Sequence, residues 1–110
     1  MFENETKIQK MTRALAQGDP QLSEDIVAQI TENSYDEMYE WTCRVYEDLT
    51  HDEREAILID AYDNLLETSI QNPNIFLRQP LMRIVWAHIA IRCDWALEAG
   101  RSSDLSLIHI

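Results

Sequence analysis

Glycine and proline are scarce in this chain, and their positions limit its architecture. Only two glycines and three prolines occur, and neither glycine follows the Asn or Asp that would favour a β-hairpin. With glycine only at positions 18 and 100, the sequence has no P-loop, no dinucleotide-binding fingerprint and no nucleophile elbow. The chain therefore favours helices and lacks the backbone motifs of common nucleotide-binding enzymes and hydrolases.

Cysteines, long apolar runs and a basic leader are also missing or few. The spacing of Cys43 and Cys93 matches neither a disulfide framework nor a short pair of metal ligands. The most apolar stretch, residues 81–97, is interrupted by three charged side chains and a histidine, whereas a membrane span needs about 18 apolar residues. The first residues are acidic where a signal peptide would be basic. These features predict a soluble, cytoplasmic protein that binds no membrane.

Basic residues are outnumbered, with nine Lys and Arg against twenty Asp and Glu, for a net charge of −11. The imbalance lies in residues 19–75, which carry fifteen acids and only Arg44 and Arg54, a net −13, whereas residues 1–18 and 76–110 each carry +1. Phosphate groups are bound by Lys and Arg, so direct binding of nucleic acid is not expected. The partner that this charge favours is a basic protein surface.

Amphipathic spacing is what the sequence has in abundance. A chain of 110 residues forms one domain, and its apolar periodicity predicts an all-α compact bundle of about five helices, two short and three longer. We expect them at residues 3–17, 19–34, 35–49, 51–71 and 80–99.

Capping signals define these predicted boundaries. Asp19 before a proline predicts a helix start, and Gly18 and Gly100 predict helix ends. Two capping boxes, Ser34 with Glu37 and Thr50 with Glu53, predict the starts of the third and fourth helices.

The last six residues, 105–110, follow a predicted helix end and have an unusual sequence. The hexapeptide LSLIHI resembles the translation of CTG TCT CTT ATA CAC ATC, a transposase adapter used to build sequencing libraries. We interpret residues 1–104 as the single domain and residues 105–110 as a non-native tail, which points to a shotgun or metagenomic source. The alternative is a hydrophobic tail that docks on the core.

The fourth predicted helix carries acids along one face, with no Lys or Arg on that face. Like charges three or four residues apart repel, so such a pattern has a cost that folding does not explain. We interpret this face as a docking surface for a basic partner, and the alternative is a solvated face that only keeps the protein soluble. Together with two acids of the preceding helix, the predicted partner-binding residues are Glu53, Asp60, Asp63, Glu67, Glu40 and Glu47.

Three tyrosines offer an alternative site. Tyr35, Tyr39 and Tyr46 fall on one side of the third predicted helix, where aligned rings can stack on a nucleotide-like ligand. Such rings also commonly form the wet edge of an apolar helix face.

The last predicted helix has a second apolar stripe formed by Ile84, His88, Ile91 and Trp95. A helix that is apolar on two sides is either central in its bundle or shared with another chain. We therefore expect the stripe to be covered by the first two helices or by a second subunit in a homo-oligomer. His88 has no carboxylate partner at helical spacing, and we interpret it as a core or interface residue.

These observations predict a non-enzymatic helical module for protein–protein interaction. The sequence points to no catalytic residues and no cofactor. A metal site is not expected either, because the Asp48 and His51 pair occurs only once and spans a predicted helix boundary. One form of this hypothesis is a viral or mobile-element inhibitor that imitates the charge of nucleic acid. The alternative function is binding of a small, nucleotide-like ligand at the tyrosines.

Overall fold

The computed structural model describes the backbone of residues 6–108 and the side chains of residues 6–100. Within that range the protein is all-helical, without a strand. Its elements are α1 (Lys7–Leu15), α2 (Pro20–Val45), α3 (His51–Gln71), a 3₁₀ helix (Pro73–Leu77) and α4 (Leu81–Ile108). The all-α prediction is confirmed, but four α-helices and a 3₁₀ helix replace the expected five.

Helix α1 begins later than predicted because Thr6 is its N-cap. Thr6 has an extended backbone, and its hydroxyl accepts a hydrogen bond from the Gln9 amide at 3.1 Å. The Gln9 side chain in turn accepts from the Thr6 amide at 2.8 Å. Residues 3–5 of the predicted helix lie outside the described residues. After the helix, Gly18 adopts a positive φ of 71°, as its predicted role at a helix end requires.

Helix α2 begins as predicted, at Pro20 with Asp19 as the N-cap, but it joins two predicted helices into one. The capping box expected at Ser34 and Glu37 is wrong, because Ser34 is buried in the middle of the helix. Its hydroxyl donates to the Ile30 carbonyl at 2.6 Å and lies 2.6 Å from the Tyr62 hydroxyl of α3. The tertiary contact with Tyr62 thus overrides the local capping signal of Ser34 and Glu37, and the helix continues through both residues.

Helix α3 starts at the predicted capping box. The Thr50 hydroxyl accepts from the Glu53 amide at 3.1 Å, and the Glu53 carboxylate accepts from the Thr50 amide at 2.9 Å. Near the start of α2, Ser23 contacts Ser69 at the end of α3, and towards the end of α2, Tyr39 contacts His51 at the start of α3. The two helices therefore form the expected antiparallel hairpin, joined by the short connection 46–50.

Helix α4 follows Pro80 and continues through Gly100 to Ile108, so the predicted stop at Gly100 is wrong. Gly100 has no positive φ, and a Cβ there would meet nothing within 4 Å. Residues 105–108 therefore have helical backbone, while their side chains and residues 109–110 lie outside the described part. That residues 105–110 are non-native stays a prediction.

The core lies between α2, α3 and α4, with α1 packed across one end. Trp86 of α4 packs edge-on against Trp41 of α2, with ring centroids 4.3 Å apart. Two polar contacts attach α1: Thr12 Oγ1 accepts from the Leu81 amide at 3.0 Å, and Ser69 Oγ donates to the Leu15 carbonyl at 3.0 Å. These bonds satisfy polar groups that the packing buries.

The two cysteines differ in their surroundings. Cys43 is exposed on α2, whereas Cys93 is buried on α4. Burial raises the pKa of the Cys93 thiol to about 11. Cys93 is therefore a small apolar core residue at neutral pH.

The two glycines give a matched test of this fold. Gly18→Ala forces a side chain onto a positive φ and places a Cβ 3.0 Å from Pro73 Cγ, so we expect a loss of about 1–2 kcal/mol in the free energy of unfolding. Gly100→Ala lies in open space within a helix, so we expect equal or greater stability, by up to about 1 kcal/mol. Urea denaturation and circular dichroism measure both. Loss of helix in Gly100→Ala would contradict the continuous α4.

Candidate partner-binding surface

Arg54 has a position that changes the charge of the hairpin surface. Its side chain is only 5% exposed. Its Nη2 donates to the carbonyls of Tyr46 at 2.7 Å and Leu49 at 2.9 Å, with a longer contact to Glu47 at 3.3 Å. The guanidinium therefore binds carbonyls just beyond the C-terminus of α2, where a helix favours a cation.

The surface of the hairpin is consequently more acidic than its sequence total. Of the two arginines in residues 19–75, only Arg44 is exposed. The same stretch carries fifteen acids, and most of them are exposed. Among the predicted partner-binding residues, the exposed ones are Glu40, Glu47, Asp63 and Glu67.

The other two predicted residues have partners inside the fold. Glu53 is half-buried, and its carboxylate is held by the capping box. Asp60 Oδ2 lies 2.8 Å from His88 Nε2 and 3.1 Å from Arg92, both on α4. The hydrogen bond from His88, aided by Arg92, holds the pKa of the Asp60 carboxyl below its usual value. Asp60 is therefore an α3–α4 contact as well as a surface acid.

This contact corrects two expectations. The interpretation of Asp60 as an uncompensated acid is wrong, because Arg92 of α4 supplies the cation that this face of α3 lacks. His88 does have a carboxylate partner, but that partner, Asp60, lies on α3 and not on the helix of His88. A bond between residues 28 positions apart leaves no signal in helical spacing.

The three tyrosines do not form one edge. Tyr35 stacks with Tyr39 at 6.5 Å between ring centroids, and the Tyr39 hydroxyl lies 2.6 Å from Nδ1 of His51 on α3. Tyr46 lies beyond the last residue of α2, packs against Trp41, and has its pKa raised by burial and by Asp94 of α4. Tyr35 and Tyr39 thus contact α3, at Tyr62 and His51, whereas Tyr46 lies near Asp94 of α4.

The second stripe of α4 is covered over only part of its length. Ile84 is buried, and the His88 side chain is 19% exposed. Ile91 and Trp95 remain 49% and 57% exposed, although the Arg92 guanidinium lies 5.2 Å from the Trp95 ring centroid. The first two helices therefore do not cover these two residues, so that alternative is wrong for Ile91 and Trp95, and their burial by a second subunit stays a prediction.

Three surface hollows are formed by described residues, with volumes of about 360, 410 and 430 Å³. None of the three is lined by Tyr35, Tyr39 or Tyr46. One lies beside Asp63 and Glu67 and is formed by α3 alone, and another is an apolar groove between α1, α2 and α4. No group of three or more metal-ligating side chains occurs among residues 6–100.

The Asp60 contact generates a pH-dependent prediction. A lowered carboxyl pKa stabilises the fold above about pH 4, and the contribution is lost as pH falls through the folded-state pKa. Asp60→Asn should therefore lower the free energy of unfolding by about 0.5–1 kcal/mol at neutral pH, since the pair is half-exposed. The same change at the exposed Asp63 is the control and should have no measurable cost. Urea denaturation at neutral pH and below about pH 3 should show the difference between wild type and Asp60→Asn disappear in acid. If Asp60→Asn and Asp63→Asn were equally stable at neutral pH, that result would contradict a stabilising contact of Asp60 with His88 and Arg92.

No helix within the described residues is long and apolar enough to cross a membrane.

Comparisons with known proteins give no relative for this arrangement. No protein-family model, curated protein or solved structure matches the chain.

Proposed function

We propose that this chain is a non-enzymatic module that binds a basic protein through the acidic surface of the α2–α3 hairpin. The observation that carries the proposal is the burial of Arg54, which leaves Arg44 as the only exposed cation in a segment with fifteen acids. An acidic field of this kind increases the rate at which a basic partner associates.

The exposed acids divide between the two helices of the hairpin. Asp63 and Glu67 lie on α3, one turn apart, and Glu40 and Glu47 lie at the end of α2 and just beyond it. Asp60 contributes less to binding in this proposal, because His88 and Arg92 already compensate its charge. Glu53 acts mainly as a cap.

The class of partner that suits such a surface is a protein whose basic face normally holds nucleic acid. Carboxylates spread along helices offer that face the negative charge that phosphates would otherwise supply. Within this proposal, the chain acts as an inhibitor that occupies a nucleic-acid-binding site. The exposed negative charge of the hairpin is the observation that supports this class of partner.

The test is charge reversal at exposed acids for which no cation partner occurs among the described side chains. We expect the double variant Asp63→Lys and Glu67→Lys to stay folded, because exposed substitutions seldom cost more than about 0.5 kcal/mol. Its association with a basic protein, recovered by affinity capture and identified by mass spectrometry, should slow by at least about tenfold at low salt. Stopped-flow or surface-based kinetics at low and high salt measure this effect.

A matched control lies outside the hairpin. Glu98 is an exposed carboxylate on α4, and Glu98→Lys makes the same change of charge as Glu67→Lys. If both single variants slow association equally, only the total charge matters and no docking surface exists on α3. Unchanged association rates in the double variant would contradict the proposal.

A second copy of the chain is another candidate partner. The exposed Ile91 and Trp95 on α4 favour it, since burying a side chain such as Trp95 stabilises a complex by about 2–3 kcal/mol. We expect light scattering at micromolar concentration to detect a dimer and Trp95→Gln to abolish it. A monomeric wild-type protein would exclude this interface.

A further inference from the structure

Of the three hollows described above, the apolar groove between α1, α2 and α4 is the most enclosed. Its walls carry six apolar side chains from three helices, and three of these are methionines: Ile8, Met11, Ile30, Met38, Met82 and Trp86. The volume is about 410 Å³, within the range of sites that bind a ligand or an inserted side chain. Met11, Ile30 and Met38 are buried at its floor, and the half-buried Ile8, Met82 and Trp86 form the part of its walls that a partner can contact.

The length of the groove fits a helix. On α2 the lining residues extend from Ile30 to Met38, which corresponds to a rise of about 12 Å. Apolar side chains at positions i, i+4 and i+7 of a partner helix span about 10 Å, so they match this length.

The charge beside the groove indicates what kind of helix. Glu37 lines the α2 wall, and the exposed Glu40 lies one turn further along the same helix. The α1 wall is basic, since Lys7 lines the groove and the exposed Lys10 lies one turn further along that helix. A helix lying in the groove therefore gains most from cations on the side that faces α2, because α2 belongs to residues 19–75, which carry a net charge of −13.

We propose that this groove binds a basic amphipathic helix of the partner protein, with its apolar side chains against Ile8, Met82 and Trp86 and its cations against Glu37 and Glu40. The inference rests on the proposed function, because it specifies the part of the basic partner that is bound and assigns it to the α2 side of the hairpin. The apolar insertion, and not the charge alone, then determines the affinity.

Two synthetic peptides of equal composition test this inference. One, of about 18 residues, places leucines at helical spacing and lysines elsewhere, and the other alternates the same residues so that no apolar helix face forms. We expect the helical peptide to bind at least about tenfold more tightly, by calorimetry at about 100 mM salt. Because both peptides carry the same charge, electrostatics alone predicts equal affinities.

Variants of the groove locate the binding site. Met82→Gln and Ile8→Gln alter half-buried lining residues from two different helices and should each weaken binding of the helical peptide by about tenfold. Ile59→Gln is the control, since Ile59 is an exposed apolar residue on α3 and does not line the groove. It should change the affinity by less than about twofold. Circular dichroism establishes that each variant is folded, and either groove variant alone suffices for the test.

The outcomes separate this inference from the function on which it rests. Equal, salt-sensitive affinities for both peptides, unaffected by Met82→Gln and Ile8→Gln, would overturn the groove and leave the acidic surface as the binding site. Binding of neither peptide even at low salt would overturn both. Preferential binding of the helical peptide that is weakened by the groove variants and by Glu37→Lys supports the groove.

Discussion

The fold and its surface charge both depend on one buried guanidinium. Arg54, near the start of α3, binds carbonyls of Tyr46 and Leu49 in the connection that follows α2. A cation at this place satisfies backbone acceptors at a helix end and fixes the connection between the hairpin helices. Because the same charge cannot also lie at the surface, holding the hairpin together leaves Arg44 as the exposed cation among fifteen acids in residues 19–75. Stability and surface potential are thus two results of a single contact.

The predicted helices succeed where local chemistry decides and fail where packing decides. Thr50 with Glu53, and Asp19 before Pro20, mark helix starts through hydrogen bonds within a few residues, so the sequence contains all the information needed. Ser34 looks like another cap, but its hydroxyl is used inside the bundle near Tyr62, a partner that only the tertiary structure provides. Gly100 is a different case: packing plays no part, and without a close neighbour or a positive φ nothing obliges the helix to end there.

The candidate site shows the same division. Exposure of Asp63 and Glu67 follows from the amphipathic pattern of α3, and it was predictable from the sequence. The partners of Asp60 lie on α4, so the residue spacing within α3 does not indicate them. The apolar groove between α1, α2 and α4 is lined by residues of three helices that are distant in the chain. Its sequence signal was limited to apolar residues at helical spacing, which also describes an ordinary core.

The unequal cysteines give the chain an internal probe of its own motions. A thiol reagent reaches the exposed Cys43 directly, whereas the buried Cys93 reacts only when α4 separates from its neighbours and the thiol can ionise. The slow labelling step therefore counts opening events of the bundle, and its rate reports the free energy of local unfolding around α4. A ligand that holds α4 in place would slow this step, so bound and free states could be told apart without attaching any dye.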